Sequence, residues 1–171
     1  MLRGGFLGLR VAHRHAHGEW LEFDGCVMFV DPSGKGMDET AYAIVAQLNG
    51  NLFVLEVGSF REGYTEPVLE GLAQAAKRQE VNLIILEDQF GQGMLQSLLQ
   101  PYLHRIYPCT VEPARSNVQK ERRIINALEP VMNQHRLIVN RSVIENDSKA
   151  KDEDSVETHL AYQLFHQLTH L

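Results

Sequence analysis

Gly25 to Phe60, GCVMFVDPSGKGMDETAYAIVAQLNGNLFVLEVGSF, is the stretch that decides the fold. Residues 25–31 are apolar on both alternate faces, as in a strand buried inside a sheet. Asp31-Pro32-Ser33-Gly34-Lys35-Gly36 then reads as a turn, because proline fixes φ and the two glycines permit positive φ. Residues 40–48 and 52–60 read as two further strands joined at Asn49-Gly50-Asn51. An Asn-Gly pair between β-rich runs is a strong hairpin signal. The stretch therefore predicts an antiparallel meander of three strands.

Beyond it the period changes. Pro67 to Glu80 reads as a helix with Val68, Leu72, Ala75 and Ala76 on one face. VNLIILE, residues 81–87, is a second buried strand. Gly91 to Gln100 reads as a short helix closed by Pro101, and residues 104–111 as a fifth strand. Ser116 with Gln119 forms a capping-box pattern that opens a helix. Its apolar stripe is Ile124, Ile125, Leu128, Val131 and Met132, and Pro130 should kink or restart it. Residues 136–139 suit a short strand, and 140–153 are polar and read as loose. A last helix is expected from Asp154, capped with Glu157, along Val156, Leu160, Leu164, Leu168 and Leu171. It meets no stop signal, so the chain reads as truncated. The order β-β-β-α-β-α-β-α, then a helix, predicts an α/β fold: a mixed sheet, antiparallel then parallel, with helices on both faces. In such a sheet the first and fourth strands can be central neighbours.

The 171 residues suit one domain, with 1–24 as a tail or linker remnant and 25–171 as the folded unit. No apolar run approaches the ~20 residues a membrane span needs, and no signal-peptide pattern opens the chain. Cys26 and Cys109 each sit in apolar surroundings and read as buried free thiols, which favours a reducing compartment. A net charge of −6 argues against non-specific coating of nucleic acid. It remains compatible with a nuclease, whose acidic metal ligands add to the negative count. Arg115, Lys120, Arg122 and Arg123 cluster in one stretch and are candidate contacts for DNA phosphates, although a solvated helix face explains them equally well. His13, His15 and His17 alternate, and His166 and His170 are four apart, but neither group presents a full zinc ligand set. Gly91-Gln92-Gly93 reads as a tight turn rather than a nucleotide fingerprint. No Walker loop is present, because Gly34-Lys35 is followed by Gly36 and preceded at the required spacing by Phe29.

The chemistry lies at the ends of the two buried runs. CVMFVD finishes at Asp31 and VNLIILE at Glu87. Paired carboxylates at strand ends are what magnesium- or manganese-dependent phosphodiester chemistry needs. The bland reading of Asp31 is an Asx-turn over Pro32-Ser33, and that of Glu87 a solvated strand end. A buried run ending in Glu-Asp leans toward function unaided.

Three blocks, VDPSGKGMDETAY (Val30 to Tyr42), NLIILEDQFGQGM (Asn82 to Met94) and Arg105 to Val139, resemble the C-terminal nuclease domain of tailed-phage terminase large subunits, in order and at matching spacing. The likeness is to the short-tailed-phage type and covers about residues 25–171. It implies a ribonuclease H-like fold and a metal-dependent endonuclease that cuts concatemeric phage DNA during packaging. Asp31 matches the family's first metal-binding acid and Glu87 its second, while Asp38 and Asp88 lie close enough in sequence to support them. The third acid of the family has no match here, and Asp152, Glu153 and Asp154 have a sufficient role in capping. The resemblance implies Mg2+ or Mn2+ in a two-metal site, of which two acids would hold only one cation firmly. It also implies double-stranded DNA, a motor ATPase domain, a small terminase subunit and a portal as partners, no membrane, and the cytoplasm of a bacterial host. Two other readings remain: a packaging-motor fragment or prophage remnant that folds without cutting, and a phosphate-binding relative of the kinases.

Overall fold

The computed structural model describes residues 11–14, 20–32, 39–61, 63–87, 93–114, 120–149 and 164–165. Two short strands, β1 (Val11–Arg14) and β2 (Trp20–Glu22), pair antiparallel in a sheet of their own. The sequence showed no period there. The main elements follow as β3 (Gly25–Asp31), β4 (Thr40–Leu48), β5 (Asn51–Phe60), α1 (Glu66–Arg78), β6 (Leu83–Glu87), α2 (Met94–Ile106), β7 (Thr110–Ala114), α3 (Lys120–Asn133), β8 (Leu137–Val139) and α4 (Arg141–Lys149). The six strands from β3 onward form one sheet in the order β7-β6-β3-β4-β5-β8. The meander β3-β4-β5 is antiparallel, whereas β6 joins β3, β7 joins β6 and β8 joins β5 in parallel. This is the mixed sheet that the sequence predicts. Asn49 and Gly50, with φ of 51° and 76°, make the tight turn between β4 and β5. Both central residues have positive φ, which is why an Asn-Gly pair sits there.

Central position explains the two apolar faces of β3 and β6. Cys26, Met28 and Val30 on one strand and Ile84 and Leu86 on the other are buried in the core. Val68, Leu69, Leu72, Ala73, Ala75 and Ala76 of α1 complete that core, with Leu95, Leu99 and Leu103 of α2. The opposite face, carrying Val27, Phe29, Leu83 and Ile85, is half-buried. α3 reaches it through Arg123, so helices serve both sides of the sheet.

A bulge tunes the far side of the meander. Ile44 pairs with Glu56 but Val45 with Val54, so Leu55 is one residue more than β4 can match. The extra residue shifts the alternation and turns Glu56, Gly58 and Phe60 onto the face that carries Phe53. Glu56 then accepts hydrogen bonds from Tyr42 Oη at 2.8 Å, Gln79 Nε2 at 2.9 Å and the Arg78 guanidinium. Burial alone would raise the Glu56 carboxyl, but the donors from Arg78, Gln79 and Tyr42 outweigh it and hold the pKa below the usual glutamate value.

Three elements differ from the sequence reading. α2 does not stop at Pro101 but continues to Ile106, with Pro101 on its exposed side. The buried spine Leu95, Leu99 and Leu103 carries the helix past the one backbone hydrogen bond that proline removes. The strand expected over 104–111 is displaced accordingly, to Thr110–Ala114. Residues 141–149, read as loose, are helical: Asn140 Oδ1 accepts the Ser142 N–H at 3.1 Å, Arg141 pairs with Glu145, and Val143 is buried. α3 runs through Pro130 to Asn133. The expected cap at Ser116 lies outside the described residues. Of the last expected helix, Leu164 and Phe165 are described as helical, and both backbone N–H groups donate to Asp147.

Candidate active site

β3 and β6 run parallel with Val27 beside Leu83, Met28 beside Ile84, Phe29 beside Ile85 and Val30 beside Leu86. The pairing ends at Val30 and Leu86, and extending it by one step would bring Asp31 beside Glu87. Both follow the half-buried parity of Phe29 and Ile85, so both carboxylates emerge on the same face of the sheet. Both also stand at the carboxyl ends of parallel strands, where open α/β sheets place their ligands. Asn82 fixes the start of this register. Its Oδ1 accepts the Cys26 N–H at 2.8 Å, and its own N–H donates to the Cys26 carbonyl at 2.8 Å. The sequence reading missed that role; its signal was a polar residue at the mouth of an apolar run.

Glu87 is largely enclosed, its side chain 11% exposed, and Arg123 from the first turns of α3 donates to its Oε1 through Nη2 at 2.8 Å. The contact is single. Among the described residues, neither Glu87 Oε2 nor Arg123 Nε, both buried, has a hydrogen-bond partner. Arg122, the residue before it on the helix, is exposed. Asp38, Asp88 and Arg115 lie outside the described residues, as do Asp152, Glu153, Asp154, His15, His17, His166 and His170, and the side chains of His13 and Lys120. Among the described residues no three His, Cys, Asp or Glu side chains gather closely enough to hold a metal ion.

Carboxylate oxygens at two strand ends on one face are hard donors of the type a divalent cation takes. No thiol competes for this role. Burial, with Glu80 adding to it, pushes the Cys26 thiol up to about 11, and Cys109 is likewise raised by burial. The Tyr42–Glu56–Arg78–Gln79 cluster lies on the other face of the sheet, beside a cleft of about 390 Å³ that Ser142 and Asn146 also line. Its carboxylate is already satisfied, which suits structure rather than catalysis.

Residues 30–137, a span that contains both acids, match the family model described as Terminase Bacteriophage T7, Ribonuclease H-like domain. The chain belongs to this family. It is 37% identical over 145 residues to the "Terminase, large subunit" of Enterobacteria phage T3, across 85% of this chain and 25% of the phage protein. This terminase domain thus spans about a quarter of that relative's length. It is similar in fold to the large terminase of a thermophilic bacteriophage, with a TM-score of 0.51, 12% identity, and coverage of 73% of this chain and 31% of that one. It is also similar to the manganese-soaked human cytomegalovirus terminase nuclease domain, with a TM-score of 0.53, 9% identity, and coverage of 70% and 66%. At such identities the likeness is one of fold. Among the described residues of the terminase domain, no helix is long and apolar enough to cross a membrane.

Proposed function

We propose that this terminase domain is a divalent-metal-dependent DNA endonuclease whose centre is Asp31 and Glu87, and that it cuts concatemeric phage DNA during packaging. The observation that carries the reading is the parallel register of β3 and β6, which aims both carboxylates to one side. The bare Glu87 Oε2 supports it. Membership of the terminase family supports the choice of DNA as substrate. A bound Mg2+ or Mn2+ would polarise the scissile phosphate and lower the pKa of an attacking water. The chain's own part is to hold the cation through Asp31 and Glu87 and to bind the DNA backbone through Arg115, Lys120, Arg122 and Arg123. Asp38 and Asp88 would support the two acids from outside the metal's own ligand set, by accepting hydrogen bonds from water bound at the site. In the whole protein a motor ATPase domain, a small terminase subunit and a portal would deliver the duplex to this domain, in the cytoplasm of the bacterial host.

A second reading is a packaging-motor fragment or prophage remnant that folds but does not cut. Supercoiled plasmid incubated with Mn2+ or Mg2+ separates the two. Nicking and linearisation that disappear in Asp31→Asn and in Glu87→Gln support the endonuclease. Absence of cleavage by the unaltered chain supports the inert fragment, and cleavage that persists in Asp31→Asn removes the proposed centre.

A further inference from the structure

The Glu87–Arg123 pair is incomplete on both sides. An arginine and a carboxylate that face each other squarely make two parallel hydrogen bonds. Here one is made, at 2.8 Å, while Glu87 Oε2 and Arg123 Nε are buried with no partner among the described residues. Leaving a buried polar atom without a partner is unfavourable, so two such atoms weaken the pair that contains them. A salt bridge shaped only for stability would use them. The acid also ends its strand beside Asp31. Two carboxylates so placed repel one another unless a positive charge lies near.

These observations rest on the endonuclease reading of Asp31 and Glu87, and they go one step beyond it. We propose that Arg123 is an exchangeable counter-ion: it neutralises Glu87 until a divalent cation arrives, and then gives the carboxylate up. The guanidinium and the cation are rivals for one acid. Both are positive, so they also repel each other while both remain near Glu87. Release frees a guanidinium with several donors at the mouth of the site, where a DNA phosphate would be the natural acceptor. The alternative, in which Arg123 steadies Glu87 for the metal, would make the arginine a helper rather than a rival. The two ideas differ in the sign of one measurement.

That measurement is Mn2+ affinity without DNA, read from the electron paramagnetic resonance signal of free Mn2+ and checked by the rise in melting temperature with added Mn2+. The chain, Arg123→Gln, Arg123→Lys, Asp31→Asn and Arg141→Gln are compared. Arg141 is a charge-matched control, 90% exposed and paired with Glu145 on α4. Arg123→Gln removes both rivalry and repulsion and should tighten Mn2+ about tenfold. Arg123→Lys keeps the charge but not the planar fork, so its affinity should fall between the two. Arg141→Gln should change affinity by less than about twofold, because an exposed distant charge is screened. Affinity in Arg123→Gln equal to or weaker than that of the unaltered chain would overturn the rivalry. If the Gln variant does not fold, an unchanged or weaker Mn2+ affinity in Arg123→Lys overturns it instead. Failure of the underlying reading looks different: the unaltered chain binds no Mn2+, or Asp31→Asn binds it equally well.

Discussion

Replacing Gly58 by alanine should destabilise the domain although the backbone there accepts any residue. A Cβ at Gly58 would lie 2.7 Å from Cε1, Cζ and Oη of Tyr42. Non-bonded carbons do not approach below about 3.5 Å without repulsion, so the ring must move. It has little freedom to do so. Tyr42 is 9% exposed, and its Oη donates to Glu56 at 2.8 Å. Its ring stacks on Phe60 at 5.9 Å, and Phe60 in turn lies against Gly71 of α1 so closely that a Cβ there would come within 2.6 Å of it. Overpacking of this kind costs about 1–3 kcal/mol, and loss of the Tyr42–Glu56 hydrogen bond adds about 1 kcal/mol. Alanine recovers roughly 0.5–1 kcal/mol through the lower entropy of its unfolded chain. The net loss is therefore about 2 kcal/mol, which at a urea slope of about 1–3 kcal/mol/M lowers the denaturation midpoint by about 1 M. Urea titration followed by circular dichroism reads the midpoint, and the slope should not change. Tyr42→Leu in the Gly58→Ala background should recover part of the loss, with a coupling above about 1 kcal/mol in the double-mutant cycle. A Gly58→Ala protein as stable as the unaltered chain, or strictly additive effects, would refute the argument.

The Glu56 carboxyl, held low by Arg78, Gln79 and Tyr42 against the effect of its burial, contributes stability above its unfolded pKa of ~4.3 and loses it as pH falls through the lower folded value. The melting temperature should drop as the solution is acidified below about pH 5, and Glu56→Gln should show a shallower acid decline from a lower starting point. Asn82→Ala deprives the Cys26 N–H of its acceptor and should cost about 1–2 kcal/mol in urea. Asn82→Asp keeps an acceptor and should lose less, and equal losses would show that the bond contributes nothing.

The parts of the fold that could be read from sequence are those where one local cause dominates. Asn49-Gly50 demands positive φ and receives it, and the two-faced apolar runs of β3 and β6 admit only central positions. The misread segments are those where a local signal met a tertiary one. Pro101 is a stop signal by itself, yet three buried leucines of α2 override it. Arg141–Lys149 looked loose because its exposed side is polar, while its cap, Asn140, and its buried anchor, Val143, give little signal in isolation. In the candidate site, Asp31 and Glu87 were visible as acids that end apolar runs. Arg123 was visible only as one of several basic residues, since nothing in a helix's sequence states which strand end one arginine will reach.

Register is where fold and chemistry meet. Had β6 slipped by one residue against β3, Leu83 and Ile85 would face α1 and α2 in place of Ile84 and Leu86. All four are large and aliphatic, so hydrophobic burial by itself distinguishes the two registers weakly. Glu87 does not share that tolerance. The slip would carry its carboxylate into the core, at a cost of several kcal/mol for an uncompensated buried charge. It would also separate Asn82 from Cys26, losing the two hydrogen bonds that begin the pairing. The acid thus helps to choose the alignment that places it beside Asp31. By the same reasoning, Glu87→Leu removes the main penalty against the slipped sheet, whereas Glu87→Gln retains it in part. For that reason the glutamine substitution is the sound test of chemistry at this position, and the leucine substitution confounds chemistry with register.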